Sequence, residues 1–499
     1  MTSFWADHRG ALFLFGVTTG VAASATVQYL RTLLFGPADH DFHGHTDHNK
    51  DSLQDPNQPN QETLARLERD FTLTTAQLQS LVKVFVNDMK RGLRSDTSVF
   101  KMIPSHVTSR PNGTETGTVL ALDLGGSNFR VCEVNLEGKG VVRTRQRKFV
   151  VSDDLKTGTG EELFDFFADC VIAFLAEIKL PKDVNMKLGF TFSFPVQQLA
   201  INKGIAIQWT KGFTASGVEG KDVVGLLQDA FHRKGLKIEV SALANDTVGT
   251  LIAHAYVDAS TYVGVILGTG TNAAYVERVD QIPKWKGAAP SSGEMVINME
   301  WGAWGSEGVL LPTTSYDKQL DRASANPRAQ IYEKMISGLY LGEITRYVLV
   351  DLISTGELFR GRGSAALAKP YNFDTANMSR IERDHTIELS DTRSVLEELS
   401  GIQHTSLADR RLVKRVCELI GTRAARLSAV GIAGVITKIN RLDGCTVAVD
   451  GSVFEYYPHF ANRIRDALRE VVGVNAESIV LAQARDGSGQ GAALIAAIN

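Results

Sequence analysis

The sequence is short of several features that mark common protein classes. Only four cysteines occur in 499 residues: Cys132, Cys170, Cys417 and Cys445. None forms a CxxC pair and none has a histidine at metal-ligand spacing, which argues against a disulfide framework or a zinc module. Reduced, buried thiols are the expectation. Neither sign of charge predominates, with 53 basic side chains against 56 acidic ones and a net charge of −3. No nucleic-acid partner is therefore expected. An anionic substrate is still compatible, because backbone N–H groups alone can build a phosphate site. No short-period repeat occurs. A G-x-x-x-x-G-K-[ST] loop is missing as well: the nearest approach, Gly212 to Gly217, continues with Val218 instead of lysine. That rejects a P-loop nucleotide site.

Charge is also absent between Arg9 and Arg31. The intervening stretch can cross a bilayer core of about 30 Å at about 1.5 Å per helical residue. It carries Thr18, Thr19, Ser24 and Thr26, so it is only moderately apolar, and Trp5 and Tyr29 stand near its ends as interfacial aromatics do. A membrane anchor is the leading reading. A signal peptide ending near Ala23-Ser24-Ala25 competes, although Met1 to Arg9 lacks the usual basic excess. A docked amphipathic helix competes too, although the apolar residues are spread all round it. Next comes a polar stretch with His40, His43, His45 and His48, read as a flexible tether. Residues 1–36 are thus an anchor candidate and 37–62 a linker.

The globular body starts near Glu62. Apolar residues at helical spacing run from Leu64 to Phe85. Strands are expected over 118–122, 129–134, 188–194 and 262–267, and helices over 162–177, 223–232, 330–354 and 407–435. Strands mixed with long helices predict α/β sheets covered by helices. Two halves echo each other faintly, each with a strand ending in a glycine turn. One carries Asp123, Gly125, Gly126, Ser127 and Asn128; the other carries Gly268, Thr269, Gly270, Thr271 and Asn272. Such turns can be anion nests, or plain hairpins. Asp450, Gly451 and Ser452 follow a further apolar strand, and a glycine cluster from Asp486 opens the last helix. The carboxylate of greatest interest is Asp246, in Asn245-Asp246-Thr247 ahead of a helical run. Taken alone it reads as an N-cap.

Together these motifs resemble the hexokinase family, over about residues 64–498. The stretch from Leu120 to Arg130 resembles that family's first phosphate loop. Leu188 to Pro195, with Trp209 to Phe213, resembles its sugar signature. Asn245-Asp246-Thr247, Gly268 to Asn272, Glu300-Trp301-Gly302, Tyr332-Glu333-Lys334 and Asp450-Gly451-Ser452 follow in the family's order. Ser127 stands where threonine is usual and keeps the hydroxyl. Pro327-Arg328-Ala329-Gln330 departs from the usual glycine and glutamine.

The resemblance implies an α/β fold of the actin-like, ribonuclease-H-like type, with two lobes around a deep cleft. The large lobe would take residues 63–116 and 243–484, and the small lobe 117–242 and 485–499. It implies transfer of the γ-phosphoryl group of ATP, with Mg²⁺, to the 6-hydroxyl of glucose or a related hexose. Ser193, Thr210, Lys211, Asn245, Asp246, Asn272, Glu300 and Glu333 would contact the sugar. Asp246 would be the general base, with Lys211 beside it in catalysis. Asp123, Gly125, Gly126, Ser127, Asn128, Arg130, Gly268, Thr269, Gly270, Asp450, Gly451 and Ser452 would serve the nucleotide, Asp123 holding Mg²⁺ through water. No protein cluster dedicated to a metal is expected.

A catalytically poor sugar sensor is the alternative on the same fold. An actin-like or chaperone-like ATPase is a rival from another class, but it has no use for the sugar set. The substrates are cytosolic, and a glycan on the sequon at Asn245 would block the site in a secreted form. Both points disfavour the signal peptide. The expectation is a cytosolic body, with anchoring through residues 10–35, the mitochondrial outer membrane being one address.

Overall fold

The structure, a computed structural model, describes residues 57–125, 128–209, 212–308 and 311–499, without the Asn128 side chain. The anchor candidate and the linker up to residue 56 lie outside the described residues, as do Gly126, Ser127, Thr210 and Lys211.

The chain forms two compact units. Of the described residues, the first holds 57–72, 314–323 and 340–421, and the second holds 73–313, 324–339 and 422–499. The first is helical. Phe71 stacks on Tyr316 with ring centroids 6.0 Å apart, and Arg346 forms a buried ion pair with Glu343 at 2.7 Å. Glu343 also accepts the Tyr371 N–H, so the buried charges are compensated.

The second unit holds both large sheets. One runs in the order β4-β3-β2-β5-β8, made of Val142–Val150, Asn128–Glu137, Thr116–Leu124, Met186–Phe192 and Ile238–Ala244. The other runs β1-β11-β10-β9-β12-β13, made of Ile103–Pro104, Glu294–Asn298, Thr271–Arg278, Thr261–Leu267, Cys445–Asp450 and Ile479–Gln483. A small hairpin, β6 (Val196–Ala200) and β7 (Lys203–Ala206), stands apart. In each large sheet an antiparallel pair joined by a glycine turn lies beside a parallel strand: β2 pairs with β3 and β5, and β9 with β10 and β12. This is the structural basis of the echo read in the sequence. The central strand β2 is buried over its last six residues, as its apolar run predicts. The edge strand β4 is mostly exposed and carries Arg143, Arg145, Arg147 and Lys148, charges that discourage further strand pairing.

Two helices lie among these strands, Asp246–Val257 and Gly487–Ile498. A Cβ on Gly491 would fall 1.9 Å from the Gly249 carbonyl oxygen, so the helices cross backbone to backbone. Around the crossing, Val119 and Ala121 of one sheet and Ala274 and Val296 of the other share an apolar core with Leu251 and Leu494.

The expected strands and most helices are present, with ends shifted by a few residues. The helix expected over 330–354 is instead two, Ile331–Ile336 and Gly338–Ser354. They part at Ser337, whose backbone is extended. Beyond the break, the N–H groups of Gly338 and Leu339 donate to the carbonyls of Gly268 and Thr269. The four cysteines are free and buried. Leu407–Lys438 is long and apolar enough to span a membrane, but its apolar window is 89% buried, as befits a core helix.

Candidate active site

Strand β8 ends at Ala244, and the chain turns directly into the helix Asp246–Val257. Asn245 caps that helix: its Oδ1 accepts the Thr247 N–H at 2.9 Å. The Thr247 hydroxyl donates to the same oxygen at 2.5 Å. Reading Asp246 as the N-cap is therefore corrected. It is the first helical residue, half-buried, where a carboxylate meets the positive end of the helix dipole. Its Oδ1 lies 2.8 Å from the Thr247 nitrogen.

The turn from β9 to β10 delivers Asn272. Its Oδ1 accepts the Ala273 N–H at 2.7 Å, which leaves Nδ2 to donate to Asn298 Oδ1, also at 2.7 Å. Longer contacts of 3.5 Å to Asn245 Oδ1 and 3.4 Å to Glu300 Oε1 surround that amide. Asn298 then donates to Glu300 Oε1 at 2.8 Å. The chain of hydrogen bonds thus has one direction, Asn272 to Asn298 to Glu300. Glu300 has φ +54, a left-handed backbone that is uncommon outside glycine. Gln330 shares this feature at φ +54, and its Oε1 lies where a Cβ on Gly302 would fall. Strain of this kind persists where the surroundings over-determine it, often at functional sites.

Glu333 reaches the same turn from another element. Its Oε2 accepts the Thr271 N–H at 2.9 Å. A Cβ on Gly270 would lie 2.8 Å from that oxygen, so a larger residue there would displace the Glu333 carboxylate. The Trp301 indole N–H donates to the Thr271 hydroxyl at 3.0 Å. The sugar-type residues Asn245, Asp246, Asn272, Glu300 and Glu333 therefore meet at one end of the six-stranded sheet, all half-buried. Ser193 follows β5 and is half-buried too; its N–H donates to the Leu124 carbonyl beside Gly125. Thr210 and Lys211 lie outside the described residues. Their flanks are anchored, since Trp209 stacks on Phe213 at 5.2 Å and packs edge-on against Phe194 at 4.9 Å.

The nucleotide-type residues gather around two turns. Gly451 has φ +116, and a Cβ there would lie 2.4 Å from the Leu267 carbonyl oxygen. Glycine is thus required twice over where Asp450-Gly451-Ser452 meets Gly268-Thr269-Gly270. Asp450 accepts the Gly451 N–H at 2.7 Å. Burial pushes its carboxyl above the usual range, against hydrogen bonds from the Gly451 and Gly487 N–H groups. On the other sheet, buried Asp123 accepts from the Ser488 hydroxyl at 2.8 Å and from Arg130. Arg130 also pairs with Asp486 at 2.8 Å. Asp486 makes no side-chain cap for the helix it precedes. The glycine cluster at the last helix is therefore tied to the first loop through Arg130 and Ser488. Gly126, Ser127 and the side chain of Asn128 lie outside the described residues.

Sequence reasoning missed Asn298, and Gln330 as a contact of the Glu300 turn; Ser488 lies in the glycine cluster from Asp486, which the sequence read as serving the nucleotide or as a cap. Asn298 closes the strand Glu294–Asn298 within the run Met295 to Met299, otherwise apolar. An asparagine within such an apolar run was the available signal, since a polar side chain buried there requires partners.

Two sheets of like topology, each ending in a glycine turn, with a carboxylate and amide cluster beside one turn, define a two-lobed α/β sugar kinase. Two family profiles, both described as hexokinase, match residues 63–256 and 262–498. A hexokinase of Schizosaccharomyces pombe is 42% identical over 441 residues, covering 88% of this chain and 91% of the relative. Hexokinase-2 of Arabidopsis thaliana is 44% identical over 451 residues, covering 87% and 89% respectively. The structure of a Schistosoma mansoni hexokinase complexed with glucose superposes with a TM-score of 0.81 at 38% identity, covering 88% of this chain and 99% of that one. The chain belongs to the hexokinase family. Its activity is that of a hexokinase, ATP-dependent phosphorylation of a hexose.

Proposed function

We propose that the amide and carboxylate cluster binds glucose or a closely related hexose, and that Asp246 removes the proton of the 6-hydroxyl as it attacks the γ-phosphorus of ATP. The observation that carries this is the convergence of Asn245, Asn272, Glu300 and Glu333 beside Asp246, half-buried and held by directed hydrogen bonds. A sugar offers several hydroxyls that each donate and accept, and carboxylates and amides match that mixture. The same requirement disfavours a sugar-free ATPase. Ser193, Thr210 and Lys211 would complete the shell from the five-stranded sheet, the core of the proposed small lobe. Lys211 would offset charge on the transferred group.

Phosphoryl transfer needs positioning and charge neutralisation more than covalent help. Gly125 to Asn128 and Gly268 to Gly270 would cradle the phosphates with backbone N–H groups. Gly451 and Ser452 would lie near the adenosine. Mg²⁺ fits the donor set. No group of three or more His, Cys, Asp or Glu able to hold a metal occurs among the described residues. Mg²⁺ is ordinarily held by one or two carboxylates, waters and substrate phosphates. Asp123 and Asp450 are the carboxylates beside the two turns, and a cation would relieve the cost of burying Asp450. When bound, Mg²⁺ neutralises charge on the phosphates. Asp123, kept in place by Arg130 and Ser488, would orient its waters.

A hexose contacting both sheets would favour a closed cleft, so that sugar contacts assemble the site and water alone does not. The catalytic body is placed in the cytosol, where both substrates are found. Anchoring through residues 10–35, to the mitochondrial outer membrane or another, rests on the sequence pattern.

The test is Asp246→Ala. Loss of a general base lowers turnover by about 10²–10⁴-fold. Near-normal turnover in the folded variant would refute the assignment.

A further inference from the structure

A second concave site lies at the opposite end of the strands that carry the active site. Strand β9 is Thr261–Leu267 and leads to the Gly268 turn, β10 is Thr271–Arg278, and β11 is Glu294–Asn298. Tyr262, Glu277, Arg278 and Glu294 line a cavity of about 610 Å³ together with Lys90, Arg94, Lys438 and Arg441. Five residues of strand at about 3.3 Å each put roughly 16 Å between this cavity and the sugar cluster. None of the residues assigned to the hexose or to ATP belongs to it.

The charges in the cavity can be paired off one by one. Glu277, 4% exposed, is held by Lys438, 5% exposed, and by the Tyr275 hydroxyl. Asp280 is held by Arg278. Glu294 pairs with Arg110 at 3.3 Å. Every carboxylate lining the cavity is thus matched by a cation. Lys90, Arg94 and Arg441 remain, and none of them has an ion-pair partner among the described residues. Three uncompensated cations therefore converge on one concavity in a chain whose net charge is −3.

The wall is preorganised. The Tyr262 ring is flanked by two guanidiniums, Arg110 at 4.2 Å and Arg441 at 4.1 Å from its centroid. Both also donate to its hydroxyl, at 3.0 and 2.8 Å. Arg441 is thus held in place by stacking without being neutralised, which keeps its planar donor fork available to a ligand. Lys90 and Arg94 supply exposed charge from the end of the helix Thr75–Gly92 and just beyond it. The Lys438–Glu277 pair forms a buried, saturated floor.

We propose that this cavity binds a small phosphorylated anion. A phosphoryl group bears about two negative charges and several acceptor oxygens, which suits one positioned arginine and two exposed cations. Helix-end stabilisation accounts for lysine or arginine at the end of Thr75–Gly92. Arg441 likewise stands just past the end of the helix Leu407–Lys438, its N–H donating to the Ile436 carbonyl. Helix-end stabilisation does not account for two helix ends turning their cations into one concavity.

The test uses the full chain saturated with glucose and Mg²⁺–AMP-PNP, so that the catalytic phosphate loops are filled. Inorganic pyrophosphate is then titrated by calorimetry, with citrate as the comparison anion. The proposal predicts saturable pyrophosphate binding that weakens with added salt and falls at least tenfold in Lys90→Gln/Arg94→Gln. Both substituted side chains are exposed, so folding should survive; Arg441→Gln is the second variant and should show the same loss. Lack of binding by the wild type would overturn the proposal, as would equal affinity in folded variants. Citrate binding as tightly as pyrophosphate would overturn the assignment to a phosphoryl group.

Discussion

Replacing Asn298 by alanine is the most informative perturbation of the sugar cluster, because Asn298 bonds to Asn272 and Glu300 within it and is assigned no contact with the hexose. It is 8% exposed, accepts from Asn272 at 2.7 Å and donates to Glu300 at 2.8 Å. A hydrogen bond to a charged group contributes about 1.5–3 kcal/mol, and a buried donor left unpaired costs a comparable amount. The Asn272 amide keeps only its contacts of 3.4–3.5 Å, so it is not wholly orphaned. Losing the carboxylate bond alone should raise the KM for glucose by about 10- to 150-fold. Because Asn298 orients groups that bind ground state and transition state alike, kcat should change only a few-fold. Steady-state kinetics with glucose varied at saturating MgATP measures both. Asn298→Asp sharpens the test. Aspartate can still accept from Asn272 but cannot donate to Glu300 when ionised. It sets two carboxylates at hydrogen-bonding distance, so one would have its pKa raised. Its KM should exceed that of the alanine variant at neutral pH and recover as pH falls. An unchanged KM in a folded Asn298→Ala protein would refute the reasoning. So would a loss confined to kcat.

Other predictions follow the same geometry. Gly270→Ala would place a methyl group 2.8 Å from the Glu333 carboxylate and so displace it; it should raise the KM for glucose at least tenfold while thermal melting stays near wild type. Asp450→Asn should raise the melting temperature at neutral pH and weaken MgATP binding. The sign follows from burial, which raises the folded-state pKa of Asp450 above its unfolded value. The folded state then binds more protons across that window, and stability falls as pH rises through it. The asparagine variant escapes this penalty, so its advantage should fade toward about pH 4; thermal melts from pH 4 to 8 measure it. Deleting residues 1–36 should leave an active enzyme and release it from membranes in fractionation. Membrane release without activity would contradict the tether reading, and a full-length protein already in the soluble fraction would contradict the anchor.

Much of this was legible in the sequence. The glycine turns and the strands before them were marked by local chemistry, whereas the Asn245, Asn272, Glu300 and Glu333 positions came from the resemblance to the hexokinase family. What stayed hidden depended on tertiary partners. Asn245 and Asp246 are both good N-caps, and only the backbone decides that Asn245 takes the role. The helix expected over 330–354 breaks because the Gly268 and Thr269 carbonyls take the N–H groups of Gly338 and Leu339, an interaction spanning some seventy residues of sequence. The Ser337-Gly338 pair was the local hint. Asn298 reads as one polar residue in a strand until Asn272 and Glu300 are brought to it.

The full chain is expected to phosphorylate the 6-hydroxyl of a hexose, with Asp246 as base. ADP release by the full chain with MgATP should be followed with glucose, with 6-deoxyglucose and with no sugar, in the wild type and in Asp246→Ala. Rapid release is expected with glucose only, matched mole for mole by sugar 6-phosphate, with a loss of about 10²–10⁴-fold in the variant. Equal ADP release with glucose and 6-deoxyglucose, or a folded Asp246→Ala protein as fast as wild type, would contradict it.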